Sequence, residues 1–201
     1  MGSRMMHYAI AKEVAKVFEI EDFDSFLLGA LIPDASRDKS LHYYVGSGDD
    51  YSFKVDLEDF FSKLNEPVKD YDLGYLTHLI ADDFWMRSFY LGWLRMLKRQ
   101  DESILEVHYN DFLYLNSIIL NKYKLEMPSF STLKLVESKY YEKDFHSSDV
   151  ESLIDAFESD FLGNSYSEED LVLHQWLAIK GYIDTCVERA VQFLQEIRGN
   201  A

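Results

Sequence analysis

Breakers are scarce in this chain: three prolines and nine glycines stand among 201 residues. So few turn-forming positions favour long elements over the many short strands of a sandwich or barrel. The hydrophobic spacing agrees, because it is helical nearly throughout. Ile10, Val14, Ala15 and Phe18 form one stripe along residues 6–19. Phe26, Leu27, Ala30 and Leu31 form another along 23–31, and Pro33 marks its end. Residues 35–54, which include VGSGDDYS, read as an extended loop. Further helices are expected at 55–64 before Pro67, at 72–99, and at 102–123 with Asp101 as N-cap. Others are expected near 131–142 after Pro128, at 149–161, and at 167–198, where Ser167 precedes Glu168, Glu169 and Asp170. No stretch alternates well enough for a strand, and no internal repeat is visible. The expectation is an all-α protein of seven or eight helices, a single globular domain over 5–198. The leading MGSR, residues 1–4, reads as an expression scar.

Charge and cysteine usage narrow the function classes. The net charge of −16 opposes binding to nucleic-acid backbones and docking on anionic membrane. A local metal ion could still hold one phosphate, since the ion supplies the positive charge. Cys186 is the only cysteine, which rules out an intrachain disulfide and a thiolate metal cluster. Its amphipathic helical setting, GYIDTCVERAVQFL, suits a packed core thiol. Lys12, Glu13, Lys16 and Glu19 interrupt the first twenty residues, so no secretory signal is expected. No apolar run approaches the roughly 20 residues needed to span a bilayer. A cytoplasmic location is the expectation.

Chemistry concentrates in four clusters: His7 in MMHYA, Asp34 in LLGALIPDAS, His42 in SLHYY, and His78 with Asp82 in GYLTHLIADDFW. Imidazoles and carboxylates are ligands of borderline metals such as zinc. His78 and Asp82 lie four apart in a helical stretch, which puts both side chains on one face, one turn apart. Their helix is otherwise strongly apolar (Leu76, Leu79, Ile80, Phe84, Trp85), so an inward-facing pair needs partners, and a cation satisfies both. Plainer readings stand beside these. His7 near a terminus could be solvated, Asp34 could cap a turn, His42 could be a hydrogen-bonded loop histidine, and His78 with Asp82 could be an ordinary helix pair.

The order of these pieces resembles the zinc-dependent phospholipase C family, which is related to the single-strand-specific zinc nucleases. Over roughly residues 5–90 the chain shares an N-terminal His, a Gly-x-x-x-Pro-Asp element, a His shortly after, and His-x-x-x-Asp on a long helix. The segment HYNDFLYLNSIILNKYKL also resembles the middle of cytoplasmic bacterial members. The resemblance implies one zinc held by Asp34, His42, His78 and Asp82, and a second shared by His7 and a bridging Asp82. Zinc is the expected metal, with manganese or iron as alternatives. In secreted members a mature N-terminal amine completes the second position, and this chain offers no signal peptide to free one. The family's remaining position uses a further His and then a His-x-x-x-Glu or His-x-x-x-Asp pair. Here no His occurs between 79 and 107, His174 is followed at +4 by Ala178, and His146 by Val150. His108 has Asp111 at +3, which reads more simply as a solvated helix His beside an acidic residue.

The implied activity is metal-assisted hydrolysis of a small phosphoester or phospholipid head group by activated water, with Asp34 as general base. A carboxylate bound to metal through one oxygen can take a proton with the other. Tyr43, Tyr44, Tyr75 and Trp85 are expected to wall the site. Asp83, turned about 100° from Asp82 around the helix, is expected to support or face solvent rather than ligate. The acidic stretches 49–59 and 149–160 read as solvated faces. Two alternatives stay open. One is a non-catalytic metal- or ligand-binding helical protein with a degenerate site. The other is an HD-type phosphohydrolase, although no His-Asp dipeptide occurs.

Overall fold

Residues 3–35, 39–129 and 147–199 are described by a computed structural model, and the architecture is all-α. The helices are α1 (Arg4–Val17), α2 (Phe23–Leu31), α3 (Leu57–Ser62), α4 (Asp70–Trp85), α5 (Arg95–Gln100), α6 (Ile104–Lys122), α7 (Ser147–Leu162) and α8 (Trp176–Gly199). The Ser3 side chain caps α1 by accepting from Met6 N–H, and Asp22 caps α2 by accepting from Ser25 N–H. The apolar stripe of α1 is buried as its spacing predicts, with Ile10 and Val14 fully enclosed. It packs against α2, α4, α6 and α8. Cys186 sits in the same core. Among the described residues no helix is long and apolar enough to cross a membrane.

Several boundaries differ from the sequence expectation. The helix expected over 72–99 runs as α4, then a π-helical segment (Met86–Leu94), then α5. The wider i→i+5 turn shows directly, since Arg95 N–H reaches the Tyr90 carbonyl. A 3-10 turn at Ile32–Ala35 leads into the expected 35–54 loop, which carries another at Lys39–His42. It also carries a two-residue antiparallel ribbon, β1 (Tyr44–Val45) with β2 (Lys54–Val55). Asp83 accepts from Val55 N–H at 3.0 Å and pairs with Arg87 at 2.7 Å, so it fastens this ribbon to α4. Asp101 accepts from Ser103 N–H but is not the N-cap of α6, a position that Ser103 takes. The helix expected at 167–198 begins only at Trp176, after a 3-10 turn at Glu168–Asp170. The 149–160 face is not uniformly solvated, because Asp160 is half-buried between Arg4 and Asn116. The helix expected near 131–142 lies outside the described residues.

The closest packing joins α2 to α4, and glycine makes it possible. A Cβ added at Gly29 would overlap the Tyr71 carbonyl, and one at Gly74 would overlap that of Phe26. Each glycine faces the other helix's backbone, so no side-chain rearrangement relieves the clash. Gly29 also opens the Gly-x-x-x-Pro-Asp element, so the close approach sets where Asp34 emerges relative to α4. Gly29→Ala or Gly74→Ala is expected to lower the unfolding free energy by about 2 kcal/mol in urea denaturation, through forced helix separation.

Candidate metal centre

Five side chains from four places in the chain converge at one buried point. His78 and Asp82 project from adjacent turns of α4 and are fully buried. His78 Nδ1 lies 2.9 Å from the Ala30 carbonyl at the end of α2. A carbonyl can only accept, so Nδ1 carries a proton and Nε2 is the ring nitrogen turned toward the other donors. From α1, His7 stacks on His78 with ring centroids 3.9 Å apart, and its Nε2 is 3.6 Å from Asp82 Oδ1. Asp34 enters from the 3-10 turn after α2, with Oδ1 3.4 Å from His42 Nε2. His42 Nε2 is in turn 3.9 Å from Asp82 Oδ2. His78 Nε2 lies 3.4 Å from Asp82 Oδ2, which also accepts the Tyr44 hydroxyl at 2.5 Å.

Two overlapping triads could each hold an ion: His7, His78 and Asp82, and Asp34, His42 and His78. Within each, the donor atoms lie within 4.8 Å of one another. The polar atoms there lack hydrogen-bond partners among the described residues: both His7 nitrogens, His42 Nδ1, His78 Nε2 and Asp82 Oδ1. Each such buried group costs about 1–3 kcal/mol if left alone. A divalent cation draws on several of these lone pairs at once, and the N/O donor set suits zinc. The donation from His78 Nδ1–H to a backbone carbonyl is the arrangement that orients a metal-binding imidazole.

The electrostatics favour a cation as well. Burial pushes Asp82 upward, but His78 beside it overrides this and holds it well below the ordinary carboxylate range. Burial acts upward on Asp34 too, and the His42 hydrogen bond with the nearby imidazoles brings it below its ordinary value. Burial, reinforced by His78, lowers His7 to about 3, so the ring is neutral at neutral pH, with one nitrogen carrying a hydrogen and the other a lone pair. Burial, followed by the Asp82 charge, raises the Tyr44 hydroxyl far above its usual range, so Tyr44 stays a donor.

The other expected wall residues divide. Tyr44 touches the cluster, whereas Tyr75 donates to the Leu41 carbonyl and Tyr43 packs edge-on against Phe60. Trp85 stacks on Phe89 at 4.4 Å. It also lines a cavity of about 670 Å³ that reaches Asp34, Tyr44, Phe53 and His108.

His108 and Asp111 are not the solvated pair their spacing suggests, because both are buried. Asp111 accepts three backbone N–H bonds, from Val172 at 3.0 Å and from Leu173 and His174 at 2.7 Å each. That clamp seats His174 Nε2 2.9 Å from His108 Nδ1. His174 Nδ1 has no partner among the described residues. Buried orphan N–H groups are rarer than orphan acceptors, so the shared proton is assigned to His174 Nε2. His108 then carries its own proton on Nε2, on the ring edge away from His174. The i,i+3 spacing signalled a shared face, but the partner segment at 172–174 gave no local cue. His146 lies outside the described residues.

Burial lowers His108 to about 3 and His174 to about 4, with mutual repulsion adding to the effect on His108. Both therefore stay neutral in the folded chain while the unfolded chain takes up protons below about pH 6.5. Stability is fully present above that pH and is lost as pH falls toward 4. In urea unfolding followed from pH 7 to pH 5, His174→Gln is expected to lose less stability than the wild type, measured against its own value at pH 7.

A family model described as zinc dependent phospholipase C matches residues 6–148, a span that holds His7, Asp34, His42, His78 and Asp82 and ends before His174. Neither the curated proteins nor the solved structures gave a match to the chain. The donor set accords with the metal that the family's description names, and the match covers well over half of the residues. The chain belongs to the zinc-dependent phospholipase C family.

Proposed function

We propose that the chain is a zinc-dependent phosphoester hydrolase whose substrate is a phospholipid head group or a similar small phosphodiester. The observation that carries this reading is the cluster of buried, unpartnered donor atoms on His7, His42, His78 and Asp82. Asp34, His42, His78 and Asp82 would hold one zinc, and His7 with Asp82 a second, less complete position. Zinc bound there would acidify water from a pKa of 15.7 to about 7 and polarise a phosphoryl oxygen.

The chain's own groups supply the rest. Asp34 lines the cavity and is ionised at neutral pH, so its free oxygen can accept the proton of the attacking water. Tyr44 holds Asp82 Oδ2 through its hydroxyl and fixes the carboxylate's orientation. His108 lines the same cavity and is neutral, and its N–H would suit a phosphoryl oxygen or a leaving oxygen. Phe53, Met86, Leu94 and Phe112 give the cavity an apolar wall that excludes water and suits a hydrocarbon portion.

A second reading, a non-catalytic metal-binding protein, rests on one feature. Among the described residues His108 and His174 bind each other rather than completing a further metal position. Elemental analysis combined with turnover separates the two readings, since metal without hydrolysis of any phosphodiester favours the second.

His78→Ala is expected to reduce bound zinc sharply and to lower the melting temperature, because a metal that binds only the folded state stabilises it. His7→Ala should weaken a second equivalent of metal more than the first in a zinc titration. Asp34→Asn should lower hydrolysis of a generic phosphodiester about 100-fold at neutral to mildly alkaline pH, with zinc or manganese supplied. Single-stranded DNA should bind poorly at 0.15 M salt, in keeping with the net charge of −16.

A further inference from the structure

A second cavity, of about 340 Å³, opens beside the first and shares Tyr90 and Lys98 with it. Its other lining residues are Gly48, Asp49, Arg95 and Arg99. Three cationic side chains meet one carboxylate here, against a chain carrying −16 overall. The carboxylate is spent on one of them, since Asp49 pairs with Arg99 at 2.5 Å. Lys98 Nζ sits 5.8 Å from the Tyr90 ring centroid and, among the described residues, has no ion pair.

Arg95 is the unusual member. It is 6 % exposed, and its Nε and Nη1 have no hydrogen-bond partner among the described residues. Its guanidinium lies 4.1 Å from the Tyr51 ring centroid, an attraction that offsets only part of the desolvation penalty. No carboxylate pairs with it among the described residues. The π-helical turn explains how it arrives there. Widening to i→i+5 puts Arg95 directly after Tyr90 on one side of the helix, facing the 46–52 loop. Gly48 passes close by, with a Cβ at that position lying 3.7 Å from Arg95 Cδ.

We propose that Arg95 and Lys98 form an anion-binding site for a phosphate or carboxylate group, separate from the metal donors and adjoining their cavity. A guanidinium fork matches an oxyanion in geometry as well as charge, and an ammonium adds a point charge. The bound oxyanion supplies the counter-charge and the hydrogen-bond acceptors that Arg95 lacks.

The test titrates inorganic phosphate into the zinc-loaded protein and reads the melting temperature. The wild type shows a saturable rise, Arg95→Met shows none, and Lys98→Ala needs at least tenfold more phosphate. In phosphate-free buffer Arg95→Met melts no lower than the wild type, because it removes an uncompensated buried charge; a merely structural Arg95 predicts a drop. Phosphate held at the metal centre behaves oppositely, surviving Arg95→Met and disappearing in Asp34→Asn, so failure here is distinguishable from failure of the hydrolase reading. If Arg95→Met does not fold, the Lys98→Ala titration decides alone. Competition between phosphate and a phosphodiester substrate that is lost in Lys98→Ala assigns the site to a second anionic group of the substrate. Saturable binding without competition assigns it to a free anion, and either result bears the site out. The absence of a saturable rise in the wild type, or the same rise in both variants, overturns it.

Discussion

The hydrogen bond from His78 Nδ1 to the Ala30 carbonyl, at 2.9 Å, ties the candidate metal centre to the fold. It exists only because α2 and α4 touch backbone to backbone, and they touch only because residues 29 and 74 have no side chains. One contact thus sets three things. It fixes the His78 tautomer, aims Nε2 at the other donors, and places the end of α2 so that Asp34 emerges on the same side. A small loss of helix approach would move two candidate ligands relative to each other.

Asp82 is the electrostatic hub of the cluster. His7, His42, His78 and Tyr44 all lie within 4 Å of its carboxylate, each from a different element or turn. Full burial of one carboxylate is costly, and the surrounding donors reverse its usual consequence by holding it ionised. Several donor atoms around it have no hydrogen-bond partner among the described residues, a deficit that a bound cation would meet.

Much of the fold was legible in the residues. The 3.6-residue stripe on α1 and the Pro33 stop after α2 reflect local physics, and the structure follows them. What local spacing could not convey is register within a continuous helix. Nothing in MRSFYLGWL breaks helical periodicity, so the π turn went unseen although it decides where Tyr90 and Arg95 face. The five candidate ligands were visible as residue types, and their mutual distances follow from tertiary packing alone. His108, Asp111 and His174 show the opposite limit. Asp111 draws its significance from three backbone N–H groups some sixty residues away, which no local pattern announces.

Charge balance links the two cavities to the second metal position. Asp34 and Asp82 are the only carboxylates in the cluster among the described residues, and together they balance one divalent cation. A second cation held by His7 and Asp82 would leave a surplus of two positive charges in a buried site. His7, kept neutral by its burial, adds no charge of its own to that surplus. A phosphodiester of the proposed kind would bring negative charge to that point, so occupancy of a second metal position and binding of such a substrate would reinforce each other. Lys98, at the seam of the two cavities, extends the positive field outward along the path such an anion would take. For the hydrolase proposed above, the acidic surface would not bar an anionic substrate, because its charge is screened within about 8 Å at physiological salt.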